Sequence, residues 1–597
     1  MTYRIGVDIG GTFTDFALFD DEGGIAFTHK QLTTPRDPAR AVLQGVGAIA
    51  EAAGIGIDEI SAISHGTTLV TNAVIERKGV PTAMVVTAGF ADVIDIGLER
   101  RYDLFDLRIR FPEPVVPRHL RIEVTERTRE NGDVVSMPQY DALEGQLREL
   151  VDRHGVRAVA VCLLHSYANT SNENALGDWI RQRFPQLHVS LSSTVFPYMR
   201  EYERWVTTCL NAYVQPVVDS YLEQLENGLD RLGFRGRFLI MSSSGGTLAG
   251  SIARQFPIRL LESGPAAGAL MSSRIGNALN EANVLSFDMG GTTAKGCIVR
   301  GGRPIKRYDM EAARAHEFKA GSGLPAKIPV IDMIEIGAGG GSLAKIHVRQ
   351  ALQMGPRSAG AEPGPACYSQ GGKLPTLTDA NLLLGYLGCG SFLGGGMQLD
   401  MDAAVEAVRR HVAEPLDVEL VRAAWGMHEV INEDVARAFR VHAPERGGDY
   451  RRCGVVAFGG SGPLHGARVA RKLKIPRVIC PAGAGVMSAF GLLSSPPTFE
   501  VVLSHRAELT ALSADSLESL VGEMENRAGR ALAEGGVDKA ELVFDRRVDM
   551  RYVGQGHEVE VTLPEGPAAE ILEALPGAFA EAYRGVFGMA LPDRPIE

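Results

Sequence analysis

From Tyr3 to Asp20 the apolar and polar positions read as two strands joined by a glycine turn. Apolar residues run up to Asp8, Gly10-Gly11 makes the turn, and an alternating stretch continues until Asp20, Asp21, Glu22, Gly23 and Gly24 break it. Period-two alternation between turn residues predicts a β-hairpin. The same order returns over 283–299: an apolar strand, Asp288, Gly290-Gly291, a threonine-rich turn and a second strand. The two aspartates are 280 residues apart. Such self-similarity predicts two like-folded halves, each presenting one glycine hairpin.

Helix and strand patterns alternate through much of the rest. Pro138 opens an amphipathic helix with Leu143, Leu147, Leu150 and Val151 inside and Gly155 at its close, and a buried strand follows over 156–164. A helical stretch from about Tyr202 to Leu232 leads to a strand at Arg237–Met241 and a Ser/Gly turn over 242–247. A buried strand ending at Phe458 breaks into Gly459, Gly460, Ser461 and Gly462 and then a helix. This alternation predicts an α/β fold with a covered sheet. Residues from about 300 to 400 read instead as a Gly/Pro-rich insertion, a segment suited to substrate handling or partner docking, with Arg357 and Glu362 its foremost polar contributors.

Composition changes this picture at one point, the glycines. There are 69 in 597 residues, well above the average of about 7%, and they cluster between readable elements. Clustered glycine inside folded sequence marks tight turns or backbone lying against a ligand. Each Gly-Gly turn lets consecutive N–H groups converge on a phosphate, with Thr hydroxyls alongside, and an aspartate ending the preceding strand can hold Mg2+ directly or through water. Two such turns facing one another would clamp the phosphates of a single nucleotide. The Rossmann glycine pattern leading into a helix and the Walker pattern are both absent from these turns. The loop at 459–462, where a strand passes into a helix, suits the purine and ribose side.

The remaining composition mostly excludes. A net charge of -11 disfavours bulk nucleic-acid binding. No apolar stretch approaches the roughly 20 residues of a membrane helix, and Met1 to Ile5 runs into a strand without a leader pattern. The seven cysteines stand singly, as expected for reduced thiols of a soluble cytoplasmic protein. At roughly 150 residues per module the length allows about four. His65 and His465 lie near the glycine motifs, but an isolated histidine is more often a structural group than a catalyst. No H-E-x-x-H or His/Asp cluster suggests a transition metal.

Taken together, D-x-G-G-T-x-T-D from Asp8, D-x-G-G-T-x-x-K from Asp288 and F-G-G-x-G-P-L-H from Phe458 resemble the phosphate 1, phosphate 2 and adenosine motifs of the actin, sugar kinase and heat-shock ATPase superfamily. More narrowly, the chain resembles the hydantoinase A and 5-oxoprolinase family, which includes N-methylhydantoinase-type enzymes, caprolactamase and subunits of acetone and acetophenone carboxylases. Supporting stretches are S-H-G-T-T at 64–68, E-S-G-P-A-A-G at 262–268, G-A-G-G-G-S at 337–342 and T-D-A-N at 378–381. The resemblance spans residues 3 to about 500.

It implies a two-lobed actin-like ATPase with ribonuclease H-like duplicated lobes, the Gly/Pro-rich insertion and a partial C-terminal α+β region. The expected domains are 1–200 (lobe I, phosphate 1), 201–500 (lobe II, phosphate 2, adenosine motif and insertion) and 505–597 (C-terminal region, incomplete). Segments 263–273 and 485–491 become the two helices crossing at the hinge. The implied cofactors are ATP and Mg2+. Asp8 and Asp288 are assigned to catalysis and the metal. Gly10, Gly11, Thr12, Thr14, Gly290, Gly291, Thr292 and Thr293 are assigned to phosphates, Lys295 to phosphate charge, and Gly459, Gly460, Ser461 and Gly462 to the adenosine side. The implied activity is phosphorylation of a cyclic amide (hydantoin, oxoproline or lactam) for ring opening, within a hetero-oligomer containing a B-type subunit. A ketone carboxylase subunit is the alternative; Asp332 to Ile336, where some hydantoinases carry a His-Thr pair, departs from a strict hydantoinase. An actin- or heat-shock-like nucleotide-gated binding module is a remoter one.

Overall fold

A computed structural model describes residues 3–20, 24–34, 37–314, 319–347, 351–445 and 449–597. The chain divides into two compact units. The first comprises Met1–Val80, Arg100–Val115 and Tyr213–Thr498, the second Pro81–Glu99, Val116–Ala212 and Phe499–Glu597.

Both glycine hairpins belong to the first unit. One sheet contains β1 (Tyr3–Ile9), β2 (Phe13–Asp20), β3 (Gly24–Leu32), β4 (Ile60–Thr67), β5 (Arg237–Met241) and β6 (Thr247–Ala249), in the order β6-β5-β4-β1-β2-β3. Helix α1 (Ser263–Ala278) leads into the other, made of β7 (Val284–Met289), β8 (Ala294–Arg300), β9 (Arg303–Pro304), β10 (Met333–Ile336), β11 (Gly454–Phe458) and β12 (Arg477–Ile479). Its order is β9-β8-β7-β11-β12, with β10 also pairing along β8. The run β3-β2-β1-β4-β5 in the first sheet therefore has a strand-for-strand counterpart in the second. Orientations match as well. β1 is antiparallel to β2 and parallel to β4, as β7 is to β8 and β11. The duplication extends from a motif to a run of five strands in each sheet, and the expected two-lobed α/β architecture is present.

Local sequence explains how the sheets are covered. Every residue of β11 is buried, as a strand with layers on both faces requires. From β11 the chain passes through residues 459–461 into α2 (Gly462–Leu473) and reaches α3 (Met487–Ser494). Helices α1 and α3 pack on each other, and their backbones touch: a Cβ on Gly491 would lie 2.1 Å from the carbonyl oxygen of Ala267. Small residues are what permit that crossing.

The expected insertion is ordered mainly as short antiparallel pairs, Met310–Ala312 with Leu324–Ala326 and Ser342–Ile346 with Leu352–Ser358, followed by the helix Leu377–Leu383. The second unit contains a parallel sheet formed by His188–Leu191, Ala158–Cys162, Thr82–Thr87 and Arg121–Val124. The helix expected to open at Pro138 begins instead at Leu143, because a turn in which the Leu143 N–H bonds Tyr140 O comes first; Leu143, Leu147 and Leu150 are buried and Gly155 caps it in a left-handed conformation. Residues 499–597 supply α+β structure, with helices Ala514–Glu534 and Ala568–Phe587 and the hairpin Arg547–Met550/Val559–Thr562 around Tyr552, Phe579 and Tyr583. No helix among the described residues is long and apolar enough to cross a membrane.

Candidate functional site

The two glycine turns are built alike. In the first, the Gly10 N–H bonds Phe13 O at 2.9 Å; in the second, the Gly290 N–H bonds Thr293 O at 3.0 Å. Each closing bond consumes the first N–H and leaves the next two. Among the described residues, Gly11, Thr12, Gly291 and Thr292 donate their N–H groups to no protein acceptor. The turns also meet. A Cβ on Gly291 would lie 2.8 Å from Thr12 Oγ1, and one on Gly11 4.0 Å from Thr292 Oγ1. Four unused donors at two apposed turns form an anion cradle of the kind a polyphosphate fits.

Beside the cradle stand Asp8, ending β1, and Asp288, ending β7. Neither carboxylate accepts a hydrogen bond or forms an ion pair among the described residues. Burial raises Asp8 to about 7, helped by the charges of Asp15 and Asp288 and opposed by Lys30 and Lys295. Burial also raises Asp288 to about 7, against the pull of Lys295 and with Asp15 adding to it. Glycines make room for both. A Cβ on Gly264 in α1 would lie 2.5 Å from Asp8 Oδ1, and one on Gly459 only 2.3 Å from Asp288 Oδ1. Gly459 has φ +82°, a left-handed conformation that glycine alone adopts freely.

The donor set fits Mg2+. Two unpartnered carboxylates of raised pKa stand beside free N–H groups, and a divalent cation would supply the positive charge that burial makes them lack. Among the described residues no group of three or more His, Cys, Asp or Glu side chains could hold a metal. A cation there would therefore complete its shell with phosphate oxygens and water, as Mg2+ commonly does.

Other expected site residues take less direct places. Thr14 is fully buried and its Oγ1 lies 3.0 Å from Thr33 Oγ1, while Thr33 donates to Gly10 O at 2.9 Å. Thr14 thus braces the first turn from behind. Lys295 pairs with Glu335 Oε1 at 3.1 Å; burial opposes its charge, but Glu335 and Glu262 outweigh burial and hold it above the usual lysine value. In the loop after β11, Ser461 donates its N–H to Met289 O at 2.8 Å, and Gly460 is exposed. Gly462 starts α2.

Both histidines are structural. His65 is fully buried, with Nε2 2.8 Å from Tyr221 Oη and Nδ1 3.2 Å from Val7 O, and burial lowers it to about 4. His465 lies between Asn432 and Asn381 at 3.0 and 3.1 Å and is lowered to about 3 by burial and by His428.

Sequence reasoning missed three contributions. Asp15 and Lys30 form an ion pair across β2 and β3 that acts on both aspartates. Glu262, with φ +57° just ahead of α1, lies in the field of Lys295 and Glu335. The glycine run at 339–341 supports the second turn from outside, Gly340 and Gly341 donating to Gly290 O and Gly291 O at 3.0 and 2.6 Å. Period-two alternation puts Asp8 and Asp15 at strand positions, but only the register brings them opposite each other.

Comparison with known proteins decides the family. The Hydantoinase/oxoprolinase N-terminal region matches residues 4–184, and Hydantoinase/oxoprolinase matches residues 204–501. The chain belongs to the hydantoinase/oxoprolinase family. Among its relatives, caprolactamase subunit alpha of Pseudomonas jessenii is 33% identical over 100% of this chain and 85% of its own length. The acetophenone carboxylase gamma subunit of Aromatoleum aromaticum is 30% identical over 97% and 81%. The crystal structure of the ATP-dependent caprolactamase from Pseudomonas jessenii matches with a TM-score of 0.82 at 32% identity, covering 99% of this chain and 86% of that one. The fold is thus that of the family's actin-like ATPases, and the relatives named are enzymes or subunits of them.

Proposed function

We propose that this hydantoinase/oxoprolinase family member is the ATP-using subunit of a cyclic amide hydrolase: it phosphorylates the ring amide oxygen of a hydantoin, oxoproline or lactam so that the ring can open. The observation that carries the reading is the pair of apposed turns, with four free N–H groups and two unpartnered aspartates. ATP with Mg2+, when bound, supplies the phosphoryl group that makes so stable a carbonyl carbon electrophilic.

The chain's own residues do the positioning. Gly11 and Thr12 on one side and Gly291 and Thr292 on the other hold phosphate oxygens through backbone N–H groups. Gly10, Gly290 and Thr293 close those turns, and Thr14 steadies the first. Asp8 and Asp288 would hold the cation, directly or through its waters. Lys295 offsets negative charge beside Asp288. The residues from Gly459 to Gly462 flank the adenosine side, and α1 and α3 form the hinge on which the lobes close. Preorganised donors in a site shielded from water are the largest lever available to such chemistry.

The partner in this reading is a B-type subunit that completes hydrolysis, in a cytoplasmic hetero-oligomer. Caprolactamase subunit alpha, similar over the full chain, supports the subunit role. A ketone carboxylase subunit is the second reading, favoured by the acetophenone carboxylase gamma subunit; it uses the same phosphorylating half. The test is ADP release by the chain with a B-type subunit on a panel of caprolactam, hydantoin, 5-oxoproline, acetone and acetophenone. Ring-opened product from a cyclic amide, abolished by Asp8→Asn, is expected. Bicarbonate-dependent turnover of a ketone alone would move the assignment to the carboxylases.

A further inference from the structure

The register places an ion pair one strand beyond each aspartate, with its polarity reversed. On the first hairpin Asp8 lies opposite Asp15, and Asp15 opposite Lys30. On the second Asp288 lies opposite Lys295, and Lys295 opposite Glu335. Lys30 Nζ is 2.5 Å from Asp15 Oδ1, and Lys295 Nζ is 3.1 Å from Glu335 Oε1. Each row carries two carboxylates and one ammonium. The rows are alike in charge but not in reach.

Lys30 has a second acceptor. Its Nζ donates to Gly485 O at 3.0 Å while lying 5.0 Å from the centre of the Phe13 ring. Gly485 belongs to the short turn Ala484–Val486 that leads into α3. In the same turn Ala484 O accepts the N–H of Gly459 at 2.9 Å, and Gly459 is the glycine packed on Asp288. A connected path therefore runs from Asp15 through Lys30 to the 484–486 turn, then to Gly459 and Asp288. It joins the strand opposite one aspartate to the loop seated against the other. An ammonium has three donors, so it can serve both acceptors at once.

We propose that Lys30 is a positioning residue of the nucleotide site: a strut that ties the first hairpin to the turn supporting Gly459, so that the two phosphate-binding turns keep their spacing. This rests on reading the apposed turns as one nucleotide site. The role is distinct from that of Lys295, whose ion pair stays within its own sheet.

The polarity reversal supplies the test. Exchanging Asp15→Lys with Lys30→Glu rebuilds an ion pair in the orientation of Lys295–Glu335, but a glutamate cannot donate to Gly485 O. Lys30→Met removes both contacts, and Lys30→Arg keeps donors enough for both acceptors. Binding of ADP with Mg2+ is measured by calorimetry, and amide exchange over 459–462 and 484–486 on nucleotide-free protein. A hydrogen bond to a charged group corresponds to about a tenfold change in affinity. The exchanged pair and Lys30→Met are expected to bind ADP about tenfold more weakly and to exchange faster over both segments, with Lys30→Arg close to wild type. If the exchanged pair matches wild type in affinity and exchange, the ion pair alone suffices and the strut is overturned. Wild-type protein that binds neither ADP nor ATP would overturn the nucleotide reading and the strut together.

Discussion

Asp8 and Asp288 are buried carboxylates with no hydrogen-bond partner among the described residues. Each is held near pKa 7 rather than near 4 by burial and neighbouring carboxylates. In the unfolded chain they ionise at about 3.9, so between about pH 4 and 7 the folded protein holds more protons than the unfolded one. Stability of the nucleotide-free, metal-free protein must then fall as pH rises through that window. Asp8→Asn and Asp288→Asn, which cannot ionise, are expected to melt a few degrees above wild type at pH 8, with the gap closing towards pH 5. Melting curves across that range check the sign; a variant that melts lower at pH 8 would show that the carboxylates are compensated. Both aspartates were legible in the sequence because the motif repeats. Lys30 and Glu335 were not, since each reaches its partner only through the pairing of strands distant in sequence.

Among the elements, the crossing of α1 and α3 is a tight constraint, backbone against backbone. Alanine is better than glycine in a helix by roughly 1 kcal/mol, which alone would make Gly491→Ala stabilising. The new Cβ, however, would meet the Ala267 carbonyl oxygen at 2.1 Å and its carbon at 2.5 Å, and these backbone atoms cannot yield without shifting a helix. Overpacking of this kind costs about 1–3 kcal/mol, so the steric term wins. Gly491→Ala is expected to lower the melting temperature measurably, whereas Gly522→Ala, in a helix with nothing within 4 Å, should not. Equal effects at the two sites would remove the crossing as a constraint. The small residues of both helices were readable as close packing. The insertion was harder: the whole stretch from about 300 to 400 read as suited to substrate handling or partner docking, yet two N–H groups of its glycine run at 339–341 support the second turn. Composition cannot distinguish backbone that binds a ligand from backbone that binds other backbone.

At the scale of the whole molecule, two sheets of matching order carry one hairpin each, and the sequence disclosed this because the hairpins kept both their spacing and their residue types. It could not disclose that the two compact units interleave along the chain, since the second unit is assembled from three separated segments. Charge exchange between Asp15–Lys30 and Lys295–Glu335 shows that the copies diverged while keeping the strand frame. The measurement that bears most directly on the shared site is calorimetric titration of ATP and Mg2+ into wild type, Gly11→Val and Gly291→Val. One nucleotide per chain, lost in either variant, is the expected result. Two nucleotides per chain, or full binding after either turn is altered, would contradict it.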